Sequence, residues 1–210
     1  MSAGCCHTAG VVVNPAVRAS AVRDTLAFLD KFEPGSRLRV MQRVPAVSRE
    51  IIETAPASSW ISLEHDHWTV DAMVELFGVE RAVRCWRDSV ADLVDRPLLR
   101  NFVSGMVKVL GRSPTSVVRL FAKGWPLVYQ DMCEPELIAT PDGQPTIRFS
   151  KIAAEVRRYN NYLHSWNGAC QGFAHVAKVK GSVRFEVAPD FSQAEAKFFW
   201  HDETELRSAD

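Results

Sequence analysis

Apolar residues change their spacing near residue 126, and that change does most to decide what the chain can fold into. Ahead of it they recur at steps of three and four. Val79, Val83, Trp86, Val90 and Leu93 form one such stripe, and Leu99, Phe102, Met106 and Leu110 form another. This is the repeat of a helix with one buried face. Behind it the step becomes two, as in Ile147 and Phe149, in Val183, Phe185 and Val187, and in Ala194, Ala196, Phe198 and Trp200. This is the repeat of a strand. One further helical stripe lies between these strands: Ile152, Val156, Tyr159, Leu163, Trp166, Cys170, Phe173 and Ala177. The order predicts an α+β fold, with a helical lobe (residues 14–126) followed by a lobe of β-hairpin, long helix and β-hairpin (residues 127–202). The four strands would form a mainly antiparallel sheet with the long helix laid on one face.

Punctuation along the chain refines this plan. Residues 1–13 read as a flexible lead-in, with Val11 to Val13 as a short strand, and residues 14–210 as a single domain. Asn14-Pro15 predicts a helix start, with Val17, Ala21, Leu26 and Leu29 on its inner face and an end before Pro34-Gly35. Helices are expected at Ser36 to Arg43, at Ala46 to Thr54, at Asp71 to Phe77 and from Ser113-Pro114 to Ala122. Gly124 and Pro126 would terminate the last of these. Leu127 to Met132, Glu136 to Thr140 and Thr146 to Ser150 read as strands, with Asp142-Gly143 as a turn. Arg184, Glu186, Glu195 and Lys197 are placed to pair across the closing hairpin. Gly168 and Gly172, four apart on the long helix, predict close approach of another backbone or of a ligand.

Composition narrows the function classes. With 25 basic and 25 acidic residues the net charge is zero, which gives no long-range attraction to nucleic acid or an anionic membrane. The five cysteines are odd in number and include no C-x-x-C, the usage of a reducing compartment. No apolar run approaches the roughly 20 residues of a membrane span, and Met1 to Val13 lacks the pattern of a signal peptide. The expected location is cytoplasmic.

The catalytic and metal-binding patterns fail on spacing or ligand count. His65 and His67 would share a face only on a strand, and two ligands do not complete a four-ligand zinc site. His164 and His175 lie roughly 16 Å apart along one helix. They are read as exposed, opposite the apolar stripe. Cys5-Cys6-His7 crowds three soft ligands onto a terminus. There is no G-x-S-x-G, H-E-x-x-H or S-x-x-K. Gly105 to Ser113 has five residues between its glycines and arginine where a phosphate loop needs lysine. A helix-turn-helix cadence does run from Phe102 through Gly111 to Lys123, with Val117 and Leu120 facing inward. Thr115, Ser116, Arg119 and Lys123 would be free for a groove. Val107 at the helix crossing and the bulk of Val118 and Phe121 count against it.

The run Pro97 to Gly105, then Leu110 to Pro114, Arg119 and Trp125-Pro126, resembles an uncharacterised family of roughly 200-residue proteins expanded as paralogues in myxobacteria. Ser59 to Glu64 and the closing strand Ala194 to Trp200 fit the same pattern. At the level of layout the chain is also similar to the ligand-binding fold shared by haem-based nitric oxide sensors, vinyl-reductase-type sensor domains and a Golgi-transport subunit. That resemblance implies a pocket between a helical lobe and a helix on an antiparallel sheet. The Tyr-x-Ser-x-Arg haem-propionate motif of the sensors is absent here, as is a cysteine cluster for zinc.

Six tryptophans supply enough large flat rings to enclose an apolar cavity. The expected function is a non-enzymatic sensory or adaptor domain that binds a small apolar ligand between its lobes or presents a surface to a signalling protein. Trp86, Phe102, Met106, Trp125, Tyr129, Trp166 and Phe173 are the expected ligand-lining residues, with no cofactor and no metal. The alternative is a DNA-binding regulator using the helix pair around Gly111. A metal hydrolase built on His65 and His67 comes third.

Overall fold

The computed structural model describes residues 14–95, 114–139, 144–176 and 181–200. The front of the chain runs β1 (Ala16–Arg18), α1 (Ala19–Phe32), α2 (Ser36–Arg43), α3 (Ala46–Thr54), β2 (Trp60–Ser62), α4 (Leu63–Phe77) and α5 (Val79–Asp95). Then come α6 (Pro114–Val128), β3 (Tyr129–Gln130), β4 (Glu134–Ala139), β5 (Pro145–Ser150), α7 (Ala154–Arg158), α8 (Tyr162–Val176), β6 (Gly181–Val187) and β7 (Ala194–Trp200). The α+β class and the four-stranded antiparallel sheet are as the spacing predicts, and the strand order is β4-β5-β7-β6. The expected Val11–Val13 strand, the Asp142-Gly143 turn and the 97–114 block of the family resemblance lie wholly or almost wholly outside the described residues.

The start of α1 differs from its sequence signal. Asn14-Pro15 leads not into a helix but into β1, the middle strand of a second small sheet ordered β2-β1-β3. The chain finds partners on both sides there. The first helical amides, Ala19 and Ser20, donate to the carbonyls of Ser59 and Ala57, so no side-chain cap is needed. β3 closes this sheet, so the strand expected over 127–132 shortens to Tyr129–Gln130, with Leu127 and Val128 still helical. Pro126 does not stop α6 either, because it lies in the last turn, where its ring removes a single backbone hydrogen bond.

Two helices are re-bounded by local chemistry. α4 starts at Leu63, eight residues before the expected Asp71, with Ser62 as a cap accepting from the Glu64 amide and with Glu64 and Asp66 in its first turn. Acids there are favoured by the helix dipole. The expected unbroken helix through 152–177 is instead two helices with a break at Tyr159–Asn161. At the break the amides of Tyr162, Leu163 and His164 bond back three residues rather than four. Asparagines compete for backbone partners, and here Asn161 Nδ2 donates to Asp71 Oδ1 on α4 at 2.9 Å. Tyr159 turns its ring onto His67, stacked at 3.7 Å.

The closing hairpin carries the expected cross-strand charge pairing, but not between directly opposed residues. Its register sets Arg184 opposite Lys197 and Glu186 opposite Glu195, like against like. Lys197 relieves this diagonally by reaching Glu186 at 2.8 Å, and Arg148, directly opposite on β5, reaches Glu195 at 3.0 Å. Inside, α5 crosses α8 over Gly168 and Gly172. A methyl group on Gly168 would stand 2.6 Å from Trp86 Cβ, and one on Gly172 would stand 2.6 Å from the Arg87 carbonyl. Behind this crossing an aromatic cluster of Trp125, Trp166 and Phe149 joins α6 and α8 to the large sheet.

Candidate functional site

Where α1, α4, α5, α6, β3 and α8 meet, the side chains leave a cavity of about 260 Å³. α1 contributes Ala21, Val22 and Leu26, α4 contributes Val70 and Met73, and α5 contributes Trp86 and Val90. Phe121, Gly124, Trp125 and Val128 face it from α6, with Ala169 and Phe173 from α8. The space exists because small residues stand where helices would otherwise interlock. Gly124 has nothing within 4 Å of where a Cβ would be, and Ala21 and Ala169 sit on facing helices. The aromatic rings hold one another at fixed angles, with Phe121 edge-on to Phe173 at 4.7 Å and Trp125 edge-on to Trp166 at 5.0 Å. That bracing keeps the walls from collapsing inward.

One corner is polar. Asp66, 4% exposed, lines the cavity and accepts a hydrogen bond from the Tyr162 hydroxyl through Oδ2. The Thr69 hydroxyl lies 3.0 Å from Oδ1 and 2.7 Å from the Asp66 main-chain carbonyl. It has a single proton to divide between them. Burial pushes the Asp66 carboxyl above the ordinary carboxyl range, against the opposing effects of Tyr162, Thr69 and His67. Burial, reinforced by the Asp66 charge, likewise drives the hydroxyls of Tyr162 and Tyr129 upward, so both phenols stay protonated. Ser89 and Ser165 also line the space, but their hydroxyls are committed to the Trp86 and Tyr162 carbonyls three residues back. Among the described residues Asp66 is therefore the one carboxyl group lining the cavity. No lysine, arginine or histidine among the described residues lines the cavity with it.

The structure brings Trp86, Trp125, Tyr129 and Phe173 together around this space. Trp166 is fully buried behind Trp125 and does not line the cavity. Phe102 and Met106 lie outside the described residues, as do the first helix of the helix-turn-helix cadence and its Gly111 turn. Of the residues expected to be free for a groove, Ser116 is buried, while Thr115, Arg119 and Lys123 are exposed.

The histidines separate once α4 is seen as a helix. Residues two apart point about 200° around the axis from each other, and His65 and His67 bond to different groups, Ser48 Oγ and the Leu63 carbonyl. Among the described residues no three histidine, cysteine or acidic side chains stand close enough to share a metal. His164 is half-buried rather than exposed, and burial lowers its pKa. Asp66, Thr69 and Tyr162 are not among the site residues expected from the sequence. Their signal was present: with the helix begun at Leu63, Asp66, Thr69, Val70 and Met73 share one face.

No protein-family profile matches the chain, and no curated protein is significantly similar to it in sequence. Solved structures are similar in fold. An unliganded Fe(II) H-NOX protein variant from K. algicida superposes with a TM-score of 0.57 at 6% identity, over 90% of this chain and 99% of that one. An H-NOX protein from S. oneidensis in the Fe(II)NO ligation state gives 0.57 at 11% identity, over 88% and 99%. An oxygen-binding H-NOX domain related to soluble guanylate cyclases gives 0.53 at 14% identity, over 88% and 95%. These identities carry the fold and not the chemistry. The helical lobe, the antiparallel sheet and the helix laid across it are the H-NOX fold.

Proposed function

We propose that this chain is a non-enzymatic sensory or adaptor domain that takes a small, largely apolar ligand into the cavity between its helical front and its sheet-bearing back. The observation that carries this reading is the cavity itself. It is walled by Val22, Val70, Met73, Trp86, Phe121 and Phe173, with one polar corner at Asp66. An apolar space with a few convergent polar groups is the usual form of a small-molecule site. The layout resemblance drawn from the sequence supports it, since the similar proteins are described in oxygen-bound and Fe(II)NO states. Output would pass to a signalling partner through surfaces that move when the cavity fills. The myxobacterial family resemblance rests on sequence alone and is part of the same proposal.

Haem does not fit the residues present. No histidine among the described residues lines the cavity, and none falls in the segment 96–113. The two wall tyrosines are held in their protonated form, the opposite of what an axial tyrosinate requires. The one charged wall group, Asp66, would repel a propionate rather than pair with it. At about 260 Å³ the space is also below the roughly 300–1,000 Å³ typical of sites for drug-sized ligands.

A DNA-reading role has less support. Ser116, Val118, Leu120, Phe121 and Trp125 are buried, so α6 is a packed helix with only a narrow exposed side.

The test is saturable binding of a neutral probe, 4-phenylbutan-1-ol, by calorimetry on the full chain. Ala169→Phe and Ala21→Leu, which fill the space from opposite walls, are expected to weaken binding at least about tenfold while leaving thermal stability near that of the parent. Absence of saturable binding, or binding untouched by both substitutions, overturns the reading.

A further inference from the structure

We propose that the ligand of this cavity is a small apolar amine, held as its ammonium ion by the Asp66 carboxylate and the aromatic faces beside it. This deepens the cavity reading and rests on it. The argument starts from charge. Asp66 is nearly fully buried and lines the cavity, yet no cationic side chain among the described residues lines it too. His67, next to it in sequence, is occupied elsewhere, with Nδ1 at the Leu63 carbonyl and its ring stacked on Tyr159. Among the described residues the wall therefore presents a carboxyl group with no counter-cation lining the same space, and a buried charge is tolerated only when paired.

The hydrogen bonds around the carboxyl lead to the same ligand. An ionised carboxylate offers about four acceptor positions. Tyr162 fills one, and Thr69 at best shares its single proton between Oδ1 and a helix carbonyl. The remaining positions fall to the cavity, and an ammonium group brings three donors to them. The same cavity is lined by Trp86, Phe121, Trp125 and Tyr129, and aromatic rings favour a cation in a dry site. Burial already shifts Asp66 toward its neutral form, with Tyr162, Tyr129 and His67 as the titratable groups nearest it. An arriving ammonium reverses that shift, so the interaction is made only when the cavity is filled. A carboxylate ligand meets repulsion at the same corner. A neutral alcohol leaves the charge uncompensated.

Three probes of one size and shape separate these cases: 4-phenylbutylamine, 4-phenylbutan-1-ol and 4-phenylbutyrate, titrated into the full chain at pH 7 by calorimetry. The amine is expected to bind at least about tenfold tighter than the alcohol, and the butyrate weakest of the three. Asp66→Asn should remove the preference for the amine and leave the alcohol within about twofold of the parent. Tyr162→Phe, which retains the carboxylate, should keep the preference. The comparison of probes on the unmodified chain decides the question even if Asp66→Asn folds poorly. Equal affinity for amine and alcohol, or a preference that survives Asp66→Asn, overturns the amine assignment while the cavity reading stands. If none of the three binds, the cavity reading falls with it.

Discussion

Replacing Gly168 by alanine isolates the crossing of α5 and α8, on which the cavity wall is hung. The new methyl carbon would stand 2.6 Å from Trp86 Cβ and 2.7 Å from the Val83 carbonyl oxygen, with the Arg87 amide at 3.3 Å. Carbon atoms rest at about 3.5 Å or more, so the helices must part by close to 1 Å. None of these obstacles is the far end of a flexible side chain, so a rotamer change cannot relieve them. Overpacking of this kind costs about 1–3 kcal/mol, and the upper part of that range applies because the obstruction is α5 backbone and a Cβ rather than a movable side-chain end. Against it, alanine regains about 1 kcal/mol of helix propensity over glycine. The net loss is about 1–2 kcal/mol, or about 3–6 °C in Tm for a chain of this size. Gly124→Ala serves as the control. That glycine is also helical, but nothing lies within 4 Å of its Cβ position, so only the propensity term acts. It should gain about 0.5–1 kcal/mol. Urea and thermal denaturation of both variants measure the two signs. A Gly168→Ala protein as stable as its parent, or two variants that shift the same way, would refute the close crossing.

The Asp66 carboxyl should leave a signature in the pH dependence of stability. Its native pKa is raised by burial, so the folded state binds the proton more tightly than the unfolded state. The stabilisation is therefore fully present below the ordinary carboxyl pKa of about 3.9 and is lost as pH climbs through the native value. The difference in unfolding free energy between parent and Asp66→Asn should fall as pH rises from 4, with a slope of at most about 1.4 kcal/mol per unit. A flat difference rejects the burial argument; groups common to both proteins cancel. Burial also pushes the Cys85 thiol up to about 12 and raises Cys133 and Cys170 further still. At pH 8 the thiolate fraction of Cys85 is about one in ten thousand. Iodoacetamide followed by peptide mapping should find these three cysteines unmodified until denaturant is added, and rapid native labelling of any of them would contradict their placement.

What the sequence made legible was whatever depends on period. The helix stripes, the alternating strands and the class they imply need only local spacing, and α2 and α3 fall at the predicted residues. What stayed hidden depended on partners distant in the chain. Residues 16–18 became a strand because β2 and β3, from 60–62 and 129–130, close on both sides of them. The long helix broke because Asn161 and Tyr159 found Asp71 and His67 on α4. The same limit governed the site. Trp86, Trp125, Tyr129 and Phe173 were legible as cavity walls because large rings on inward stripes have few other places to go. Asp66 was not, because a carboxylate among Glu64, His65 and His67 reads as solvated surface until the cap at Ser62 sets the phase of the helix. Starting α4 at Asp71 rather than Leu63, an error of about two turns, leaves a cavity residue outside the helix. The position proposed to select the ligand of this cavity is thus fixed by a helix boundary, the part of a helix that periodicity resolves least well.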